Sequence, residues 1–340
     1  MNYLITGHTG FKGSWLSLML HMQGHMVSGI SLNPAKKSLF NQAKLSSIFQ
    51  NDFRVDIRNS TELSQAVKRI EPEVIIHLAA QPLVRESYKD PVGTFETNLL
   101  GTLNLLESTR ALPSLKASLI ITTDKVYKNY NYLRGYVETD ELGGDDPYSA
   151  SKAAADISTQ SWVKNFAATP VSIARSGNVI GGGDWTTDRI IPDLVKAYSS
   201  NQLPVLRYPN AIRPWQHVLD CLNGYLVLIN SMLVQERSGL WNFGPNLKEK
   251  YSVIDLVEIF ARKWGVGTNE PICTIDSSSQ PYEAGYLLLD SSKARELLGW
   301  NDKLDFFKSI SLTVDWFKQS QLEDPREVTV NQIDDFFALS

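Results

Sequence analysis

Residues 1–16 read MNYLITGHTGFKGSWL, in which a short apolar run, Tyr3–Thr6, leads into Gly7, Gly10 and Gly13. A run of this kind predicts a strand, and the glycines predict a tight turn that opens a helix. Such a turn directs backbone N–H groups and a helix N-terminus at a pyrophosphate. The spacing is GxxGxxG, whereas the dinucleotide fingerprint is GxGxxG. Placement between strand and helix therefore favours a nucleotide-binding turn over a purely structural one.

Short apolar runs continue to alternate with amphipathic, helix-length segments through the first half of the chain. This alternation predicts βαβ units and a parallel sheet. The predicted strands are 2–6, 26–31, 52–56, 74–80, 118–123 and 171–176, and the predicted helices are 14–23, 59–70 with Ser60 as its cap, 94–111 and 149–166.

The amino-acid composition changes at about residue 178, where Gly and Pro are concentrated in the segments 177–185 and 207–215. The helices predicted beyond this point are separate from one another: 190–199, 252–263, 291–298 and 306–318, and the segment 219–232 is expected to return to the first domain. We expect an α/β fold, a Rossmann-like doubly wound parallel sheet with a smaller, interleaved C-terminal substrate domain. Residues 1–178 with a return segment at about 216–246 form the dinucleotide-binding domain, and 179–340 mainly the substrate domain. The acidic tail beyond Leu322 either packs or frays.

Composition indicates an ordinary globular protein rather than a disordered or disulfide-rich one. The 340 residues are 43% hydrophobic and 21% charged, the net charge is −4 and the pI is about 5.8. These values do not predict binding to nucleic acid or to a membrane. Cys221 and Cys273 lie far apart without neighbouring His, so we expect buried thiols, no metal site and no disulfide. Without a leader-like start or ~18 uninterrupted apolar residues, we expect a cytoplasmic protein.

The adenosine end of the predicted cofactor site has no acidic side chain that would distinguish NAD from NADP. An acidic side chain is expected about 20 residues after the glycines, and Asn33 stands there instead. Asn33 can bond a ribose hydroxyl but cannot repel a 2′-phosphate, and Lys36 and Lys37 are close in sequence. NAD is therefore preferred and NADP is not excluded. Asp56, at the end of the third predicted strand, either reaches the adenine amino group or is a turn residue.

Tyr148 and Lys152, in the stretch DPYSASK, lie one helical turn apart and share a helix face. An ammonium beside a phenol lowers the phenol pKa from ~10 towards neutrality, which makes the tyrosine a usable base. Thr123, Asp124 and Lys125 follow a predicted strand, at the end where open α/β sheets bind ligands. A solvated helix face and a helix cap are the alternatives, and together with the glycine turn the pattern favours a catalytic site.

Seven motifs in this order carry a family resemblance: GHTGFKGSWL, HLAAQPLVR, TTDK, DPYSASK, GNVIGGGDW, RPWQHVL and WNFGP. From Met1 to about residue 318 the chain resembles the extended short-chain dehydrogenases/reductases, and among them the nucleotide-sugar 4,6-dehydratases, most closely those specific for CDP-glucose. The TDP-glucose enzymes resemble it too, but carry Glu where this chain has Lys125.

The resemblance implies NAD as cofactor and assigns roles residue by residue. The implied catalytic residues are Thr123, Asp124, Lys125, Tyr148 and Lys152. The implied cofactor-binding residues are Gly7, Thr9, Gly10, Phe11, Lys12, Gly13, Asn33, Asp56, Ile57, Leu78, Ala79, Ala80, Asn98, Tyr148 and Lys152. The implied substrate-binding residues are Gln81, Arg85, Asn178, Arg189 and Arg213.

The mechanism that the resemblance implies begins with oxidation of the sugar at C4, where Tyr148 accepts the hydroxyl proton. Water is then eliminated across C5 and C6 with Asp124 as acid, and the hydride returns at C6 to give a 4-keto-6-deoxy sugar. Asp124 must be protonated, so we expect a raised pKa. Lys125 is either the base at C5, which requires a depressed pKa, or a stabiliser of the enolate.

Several alternatives stay open at this point. Tyr282 and Gly285 stand where the CDP-glucose enzymes usually have His, which leaves the base and the sugar of the substrate undecided. A nucleotide-sugar 4-epimerase or reductase shares Tyr148 and Lys152, and a noncatalytic cofactor sensor is more remote. The resemblance also implies a homodimer, or a tetramer, in which the helices predicted at 94–111 and 149–166 pair in a four-helix bundle.

Overall fold

The computed structural model describes residues 1–248, 250–276, 278 and 284–339, so Tyr282 lies outside the described residues. The strands are β1 Asn2–Thr6, β2 Met26–Ser31, β3 Phe49–Arg54, β4 Val74–His77, β5 Ala117–Thr123, β6 Val171–Ser176, β7 Val179–Ile180, β8 Val205–Leu206, β9 Ile212–Arg213, β10 Gln216–His217, β11 Gly239–Phe243, β12 Tyr251–Ser252 and β13 Thr274–Ile275. Seven of them form one parallel sheet in the order β11-β6-β5-β4-β1-β2-β3. The predicted Rossmann-like doubly wound sheet is confirmed.

Helices cover both faces of this sheet and build most of the second half of the chain. They are α1 Phe11–Met22, α2 Leu39–Gln42, α3 Ser60–Ile70, α4 Val84–Lys89, α5 Pro91–Phe95, α6 Gly101–Thr109, α7 Pro147–Phe166, α8 Ile190–Ser199, α9 Val218–Gln235, α10 Val253–Trp264, α11 Ser292–Leu298, α12 Phe306–Gln319 and α13 Pro325–Ala338. A π-helical stretch, Glu96–Leu100, joins α5 to α6, so the single helix predicted at 94–111 starts earlier and changes its winding.

Two predictions around β3 and α3 are wrong in detail. β3 ends at Arg54, so Asp56 lies in the turn beyond the strand rather than at its end. The cap of α3 is Asn59, whose side chain accepts a hydrogen bond from the Glu62 N–H at 3.2 Å. Asn and Ser are about equally good caps, so sequence alone does not decide between adjacent candidates.

The second half packs onto the sheet through helices and through β11. β11 pairs with β6 and so adds a strand from far along the chain to the edge of the sheet. Three two-stranded pairs, β10-β7, β12-β9 and β13-β8, lie outside the large sheet. The division into two domains at residue 178 stays a prediction. The tail packs, since Thr329, Gln332, Ile333 and Phe336 are buried at helical spacing on α13.

Helix α9 lies in the core beneath the sheet. By length and composition it is, within the described ranges, the one helix apolar enough to cross a membrane, and 61% of it is buried inside the molecule. Core helices of globular proteins pass the same test. Cys221 on α9 is fully buried as expected, whereas Cys273 is only half-buried, and burial still raises the pKa of the Cys273 thiol.

Candidate active site

The glycine turn is fixed by close contacts between backbones. Gly7 has φ = +73°, and a Cβ built there would lie 2.7 Å from the Ala79 amide nitrogen after β4. A Cβ on Gly13 would lie 2.3 Å from the Gly7 carbonyl oxygen. Gly10 caps α1 without a side chain to accept from the first-turn N–H groups. These donors are therefore left for a ligand or solvent, as the pyrophosphate prediction requires.

The adenosine side is organised by polar pairs that the sequence did not reveal. The Thr9 hydroxyl lies 2.7 Å from the Ser31 hydroxyl and bonds the end of β2 to the glycine turn. Asp56 is bonded by the guanidinium of Arg58, which lowers the pKa of the Asp56 carboxyl. The Lys37 ammonium lies 3.5 Å from the centroid of the Trp185 ring.

Lys12 extends from the glycine turn towards the ends of β5 and β6. Its ammonium donates to the hydroxyls of Ser176 at 3.2 Å and Tyr225 at 3.1 Å, and burial lowers its pKa. No carboxylate of the described residues forms an ion pair with it. The two hydroxyls lie 2.7 Å apart, so Lys12 closes a three-membered hydrogen-bonded cluster beside the predicted catalytic residues.

Helix α7 presents the predicted tyrosine and lysine at its first turns. The Asp146 side chain caps the helix by accepting from the Ser149 N–H at 2.9 Å, and Pro147 stands at the first helical position. Lys152 is buried, and its ammonium donates to the Ile121 carbonyl oxygen at 2.9 Å. Capping and proline therefore fix where the helix begins, and with it the position of Tyr148 over β5.

The predicted fall of the Tyr148 pKa is wrong for the protein chain by itself. Burial raises the Tyr148 pKa to about 12, against the opposing effect of a hydrogen bond with Thr123. Burial and then the charge of Lys12 lower the pKa of Lys152 to about 8. Desolvation disfavours both the phenolate and the ammonium, and for Tyr148 it outweighs the hydrogen bond from Thr123 and the positive charge of Arg189.

The stretch 123–125 forms a tight turn after β5 that buries one carboxyl group. The Thr123 hydroxyl donates to Asp124 Oδ1 at 3.0 Å and accepts from the Lys125 N–H at 3.3 Å. Asp124 is 1% exposed, and its Oδ2 has no hydrogen-bond partner among the described residues. Burial raises the pKa of Asp124, and the positive charge of Lys125 is the largest opposing effect. The sign agrees with the expectation for an acid.

All five predicted catalytic side chains line one cavity of about 510 Å³. Of the other predicted residues, eight line it as well: Phe11, Lys12, Leu78, Ala80, Arg85, Asn178, Arg189 and Arg213. Lys125 is half-buried and also lines a smaller neighbouring cavity beside Asp145 and Asp146. The geometry thus brings a carboxyl, a phenol and three lysines to one place, a set suited to proton transfer.

The three predicted arginines have intramolecular neighbours. Arg85 pairs with Asp188 at 3.3 Å, and Arg189 pairs with Asp184 at 3.1 Å. Arg213 is buried and donates to the Ile212 carbonyl oxygen at 3.0 Å. The charge of Arg213 also lowers the pKa of Asp124, which indicates that the guanidinium lies close to this carboxyl.

Ten predicted residues lie outside the cavity lining: Gly7, Thr9, Gly10, Gly13, Asn33, Asp56, Ile57, Ala79, Gln81 and Asn98. Asn98, in the π-helical stretch, bonds both backbone groups of Gln81 and the Ser151 hydroxyl. The Gln81 side chain turns towards Leu83 and Thr94. Both side chains therefore hold the loop after β4 in place.

Sequence reasoning missed a group of charged and aromatic residues at the cavity mouth: Tyr88, Asp188, Asp193, Arg207, Tyr208 and Asp276. They come from four separate segments, and Arg85 and Arg207 act electrostatically on both Asp193 and Asp276. Their spacing along the chain carries no signal, because only the folded chain brings α4 next to the three segments from the second half.

Comparison with known proteins identifies the family. A family model described as GDP-mannose 4,6 dehydratase matches residues 4–313. The chain belongs to this family. It is 39% identical over 325 residues to the CDP-glucose 4,6-dehydratase of Salmonella typhimurium, covering 92% of this chain and 89% of that one. It is 27% identical over 337 residues to a dTDP-glucose 4,6-dehydratase of Xanthomonas campestris, covering 94% and 93%.

Solved structures of dehydratases and epimerases share the fold of this family member. The UDP-glucuronic acid 4-epimerase of Bacillus cereus, in complex with UDP-glucuronic acid and NAD, is 25% identical with a TM-score of 0.80 over 94% of this chain and 100% of that one. The dTDP-glucose 4,6-dehydratase of Bacillus anthracis, in complex with NAD, is 23% identical with a TM-score of 0.79 over 95% and 98%. The predicted membership in the extended short-chain dehydrogenases/reductases, as a nucleotide-sugar dehydratase, is confirmed.

Proposed function

We propose that this chain is an NAD-dependent hydro-lyase that converts CDP-glucose to CDP-4-keto-6-deoxyglucose and water. The observation that carries the proposal is the buried Oδ2 of Asp124, which lacks a partner among the described residues and lines the same cavity as Tyr148 and Lys152. An unpartnered buried carboxyl oxygen is costly unless a ligand uses it. A departing hydroxyl that needs a proton is such a ligand, and an epimerase has none.

Tyr148 and Lys152 act on the 4-hydroxyl of the hexose. The phenol oxygen accepts the hydroxyl proton, with the Lys152 ammonium and the Thr123 hydroxyl stabilising negative charge on it. NAD supplies a reversible hydride acceptor for this oxidation. Since burial raises the pKa of Tyr148 to about 12, bound ligands must offset the burial before the tyrosine serves as base.

Asp124 protonates the hydroxyl that leaves C6. The 4-keto group makes the C5 proton acidic, the C5–H and C6–O bonds break, and water departs. The hydride taken from C4 would be held on bound NAD and returned to C6. A proton is delivered back to C5 in the same step, so the cofactor would be regenerated and the net change is the loss of water. Burial raises the pKa of Asp124 and so favours the protonated form that this step consumes.

Lys125 is the C5 base or the stabiliser of the enolate. Its charge lowers the pKa of Asp124, so an ammonium at Lys125 and a carboxylate at Asp124 stabilise each other. The base role needs a neutral amine and the stabilising role needs the ammonium, and the exchange experiment in the Discussion separates the two.

The residues at the glycine turn fit NAD. The close backbone contacts at Gly7 and Gly13 leave no space for a side chain and fix the turn before α1, whose N-terminus is uncapped by a side chain and can bind a phosphate. Thr9, Asn33, Asp56 and their neighbours lie along the adenosine side, and the related epimerase and dehydratase structures are complexes with NAD, which supports NAD in preference to NADP. Asn178, Arg189 and Arg213 bind the diphosphate, and Arg85 lies at the sugar or the cavity mouth.

The deciding experiment is incubation of the purified protein with CDP-, TDP-, UDP- and GDP-glucose, followed by mass spectrometry of the products. We expect CDP-glucose to lose the mass of one water without net consumption of NAD, and Asp124→Asn to abolish this loss. A 4-epimerase, the second candidate favoured by the structural likeness to the Bacillus cereus enzyme, would leave the mass unchanged. No water loss from any of the four sugars would refute the dehydratase.

The setting of this reaction is a cytoplasmic step of deoxysugar biosynthesis, such as that for an O-antigen. A homodimer, or a tetramer built from it, forms through the helices around α5, α6 and α7. Large apolar side chains are exposed there, namely Val92, Leu100, Ile157 and Phe166. Apolar side chains on neighbouring helices suit an interface that repeats across a two-fold axis. Sedimentation of the wild type and of Ile157→Lys tests it, because a monomeric wild type would contradict the dimer.

A further inference from the structure

A buried ion pair lies behind the turn at residues 123–126, which we call the catalytic turn. Arg175 on β6 donates from Nε and Nη2 to the two carboxylate oxygens of Asp156 on α7, both at 2.8 Å, and both side chains are fully buried. Desolvating two charges costs about as much as their attraction returns, so such a pair stabilises a fold little more than apolar residues would. Its presence calls for a role other than stability.

The pair bonds residues at both ends of the catalytic turn. The Thr122 hydroxyl donates to Asp156 Oδ2 at 3.1 Å, and Arg175 Nη1 donates to the Tyr127 hydroxyl at 2.9 Å. Thr122 precedes Thr123, and Tyr127 directly ends the turn that carries Asp124 and Lys125. The ion pair therefore bonds the turn just before it starts and just after it finishes.

The same network reaches the edge of the sheet. The Tyr127 hydroxyl donates to Asn242 Oδ1 at 2.7 Å, and the Asn242 amide donates to the Tyr136 carbonyl oxygen at 2.8 Å. Asn242 belongs to β11, the strand contributed from far along the chain. Tyr127 is 2% exposed, so its hydroxyl has no access to water as a substitute partner.

Asp156 is also one helical turn from Lys152. Its carboxylate raises the Lys152 pKa, in opposition to burial and to the charge of Lys12, which lower it. Lys152 in turn lowers the pKa of His77 on β4, and Tyr148 lies one helical turn before this lysine and lines the same cavity. The Asp156 carboxylate thus pairs with Arg175, accepts a hydrogen bond from Thr122 just before the catalytic turn, and raises the pKa of Lys152.

We propose that Arg175 and Asp156 are positioning residues, which hold the turn carrying Asp124 and Lys125 at a fixed distance from the helix carrying Tyr148 and Lys152. The inference rests on the proposed dehydratase function. Its consequence is that weakening the network lowers turnover by displacing the acid from the base, while the binding of nucleotide and sugar at the cavity mouth stays the same.

The first test removes one hydroxyl from the network and keeps the ring. Tyr127→Phe should lower kcat by ~10-fold with KM within about twofold, because a small displacement of reacting groups reduces the rate strongly. The matched control is Tyr198→Phe, which removes a buried hydroxyl bonded to the Ile272 carbonyl oxygen outside this network. We expect both variants to lose similar melting temperature and only Tyr127→Phe to lose kcat.

The second test separates charge from structure. Asp156→Asn keeps the shape of the side chain and removes the carboxylate that raises the Lys152 pKa. The loss of kcat on the alkaline side should then begin at a pH lower by about 1 unit than in the wild type. A purely structural role would lower kcat at every pH and leave the position of that limb unchanged.

Hydrogen exchange gives a readout that does not depend on the substrate. Amides of residues 122–128 should exchange several-fold faster in Tyr127→Phe than in the wild type or Tyr198→Phe. An active wild type whose Tyr127→Phe variant keeps its kcat, or equal exchange in all three proteins, would overturn the positioning role. Failure of the wild type to release water refutes the proposed function instead, and the exchange result then still decides whether the network holds the turn.

Discussion

The glycine turn at residues 7–13 and the catalytic turn at residues 123–126 both follow strands of the same parallel sheet, yet they are specified in different ways. The first is set by contacts of backbone with backbone, since Gly7 and Gly13 leave no space for a Cβ. The second is set by side chains, since Asp124 is buried beside Thr123, Lys125 and Arg213. The cofactor turn therefore depends on positions that have no side chain. The catalytic turn depends on charged side chains that come from distant parts of the chain.

The largest effect should come from Tyr148→Phe, which affects the catalytic side alone. We expect kcat to fall by ~10³-fold, since general acid–base groups contribute on this scale. NAD affinity, measured by titration, should stay within a few-fold because the ring is kept. The control is Tyr130→Phe, an exposed tyrosine bonded to Glu141. If Tyr148→Phe kept a tenth of wild-type turnover, Tyr148 would not be the base.

The converse change damages the glycine turn. Gly7→Ala places a Cβ 2.7 Å from the Ala79 nitrogen at φ = +73°, and Gly24→Ala introduces similar backbone strain, at φ = +78°, with no atom within 4 Å. The strain costs ~1–2 kcal/mol at either site, and the overpacking at Gly7 adds ~1–3 kcal/mol. Denaturant unfolding measures both. Only Gly7→Ala should also lose NAD binding, and equal destabilisation of the two variants would show that the close contact relaxes freely.

Much of the glycine turn was predictable because its determinants lie within a few residues of each other. A strand followed by spaced glycines specifies the turn wherever the rest of the chain goes. The fall of the Tyr148 pKa was predicted wrongly because the sequence shows Lys152 nearby but not the extent of burial. Likewise, Arg175 lies in an apolar strand and Asp156 in an ordinary helix, and nothing local indicates that they pair. The mouth of the cavity escaped prediction for the same reason.

Lys125→Ala separates the two roles proposed for the lysine of the catalytic turn. If Lys125 is the C5 base, kcat should fall by ~10–100-fold and exchange of the C5 hydrogen with deuterium from solvent should stop. If it only stabilises the enolate, turnover falls but exchange persists. Lys128→Ala, at an exposed lysine paired with Glu141, is the matched control and should change neither. Mass spectrometry of the sugar nucleotide recovered from deuterium oxide before water is lost distinguishes the two results, because any product molecule has already lost its C5 hydrogen.

The smallest expected effect is on the pH dependence of stability, and it concerns a histidine next to the glycine turn. His77 ends β4, lies 2.6 Å from the Thr6 hydroxyl before the glycine turn, and burial lowers its pKa to about 3. In the unfolded chain this histidine binds its proton near pH 6.5. Its burial therefore does not reduce the free energy of unfolding above that pH. The free energy of unfolding falls by about 1.4 kcal/mol per pH unit for this group as the pH drops towards 3. His217, buried with a pKa of about 3, acts in the same direction. His77→Gln should therefore be less stable at pH 7, and its loss of stability between pH 6 and pH 4 should have a slope smaller than that of the wild type by about 1.4 kcal/mol per pH unit, as measured by urea unfolding. An unchanged slope would mean that His77 takes up its proton in the folded protein as readily as in the unfolded chain, and burial would then not lower its pKa.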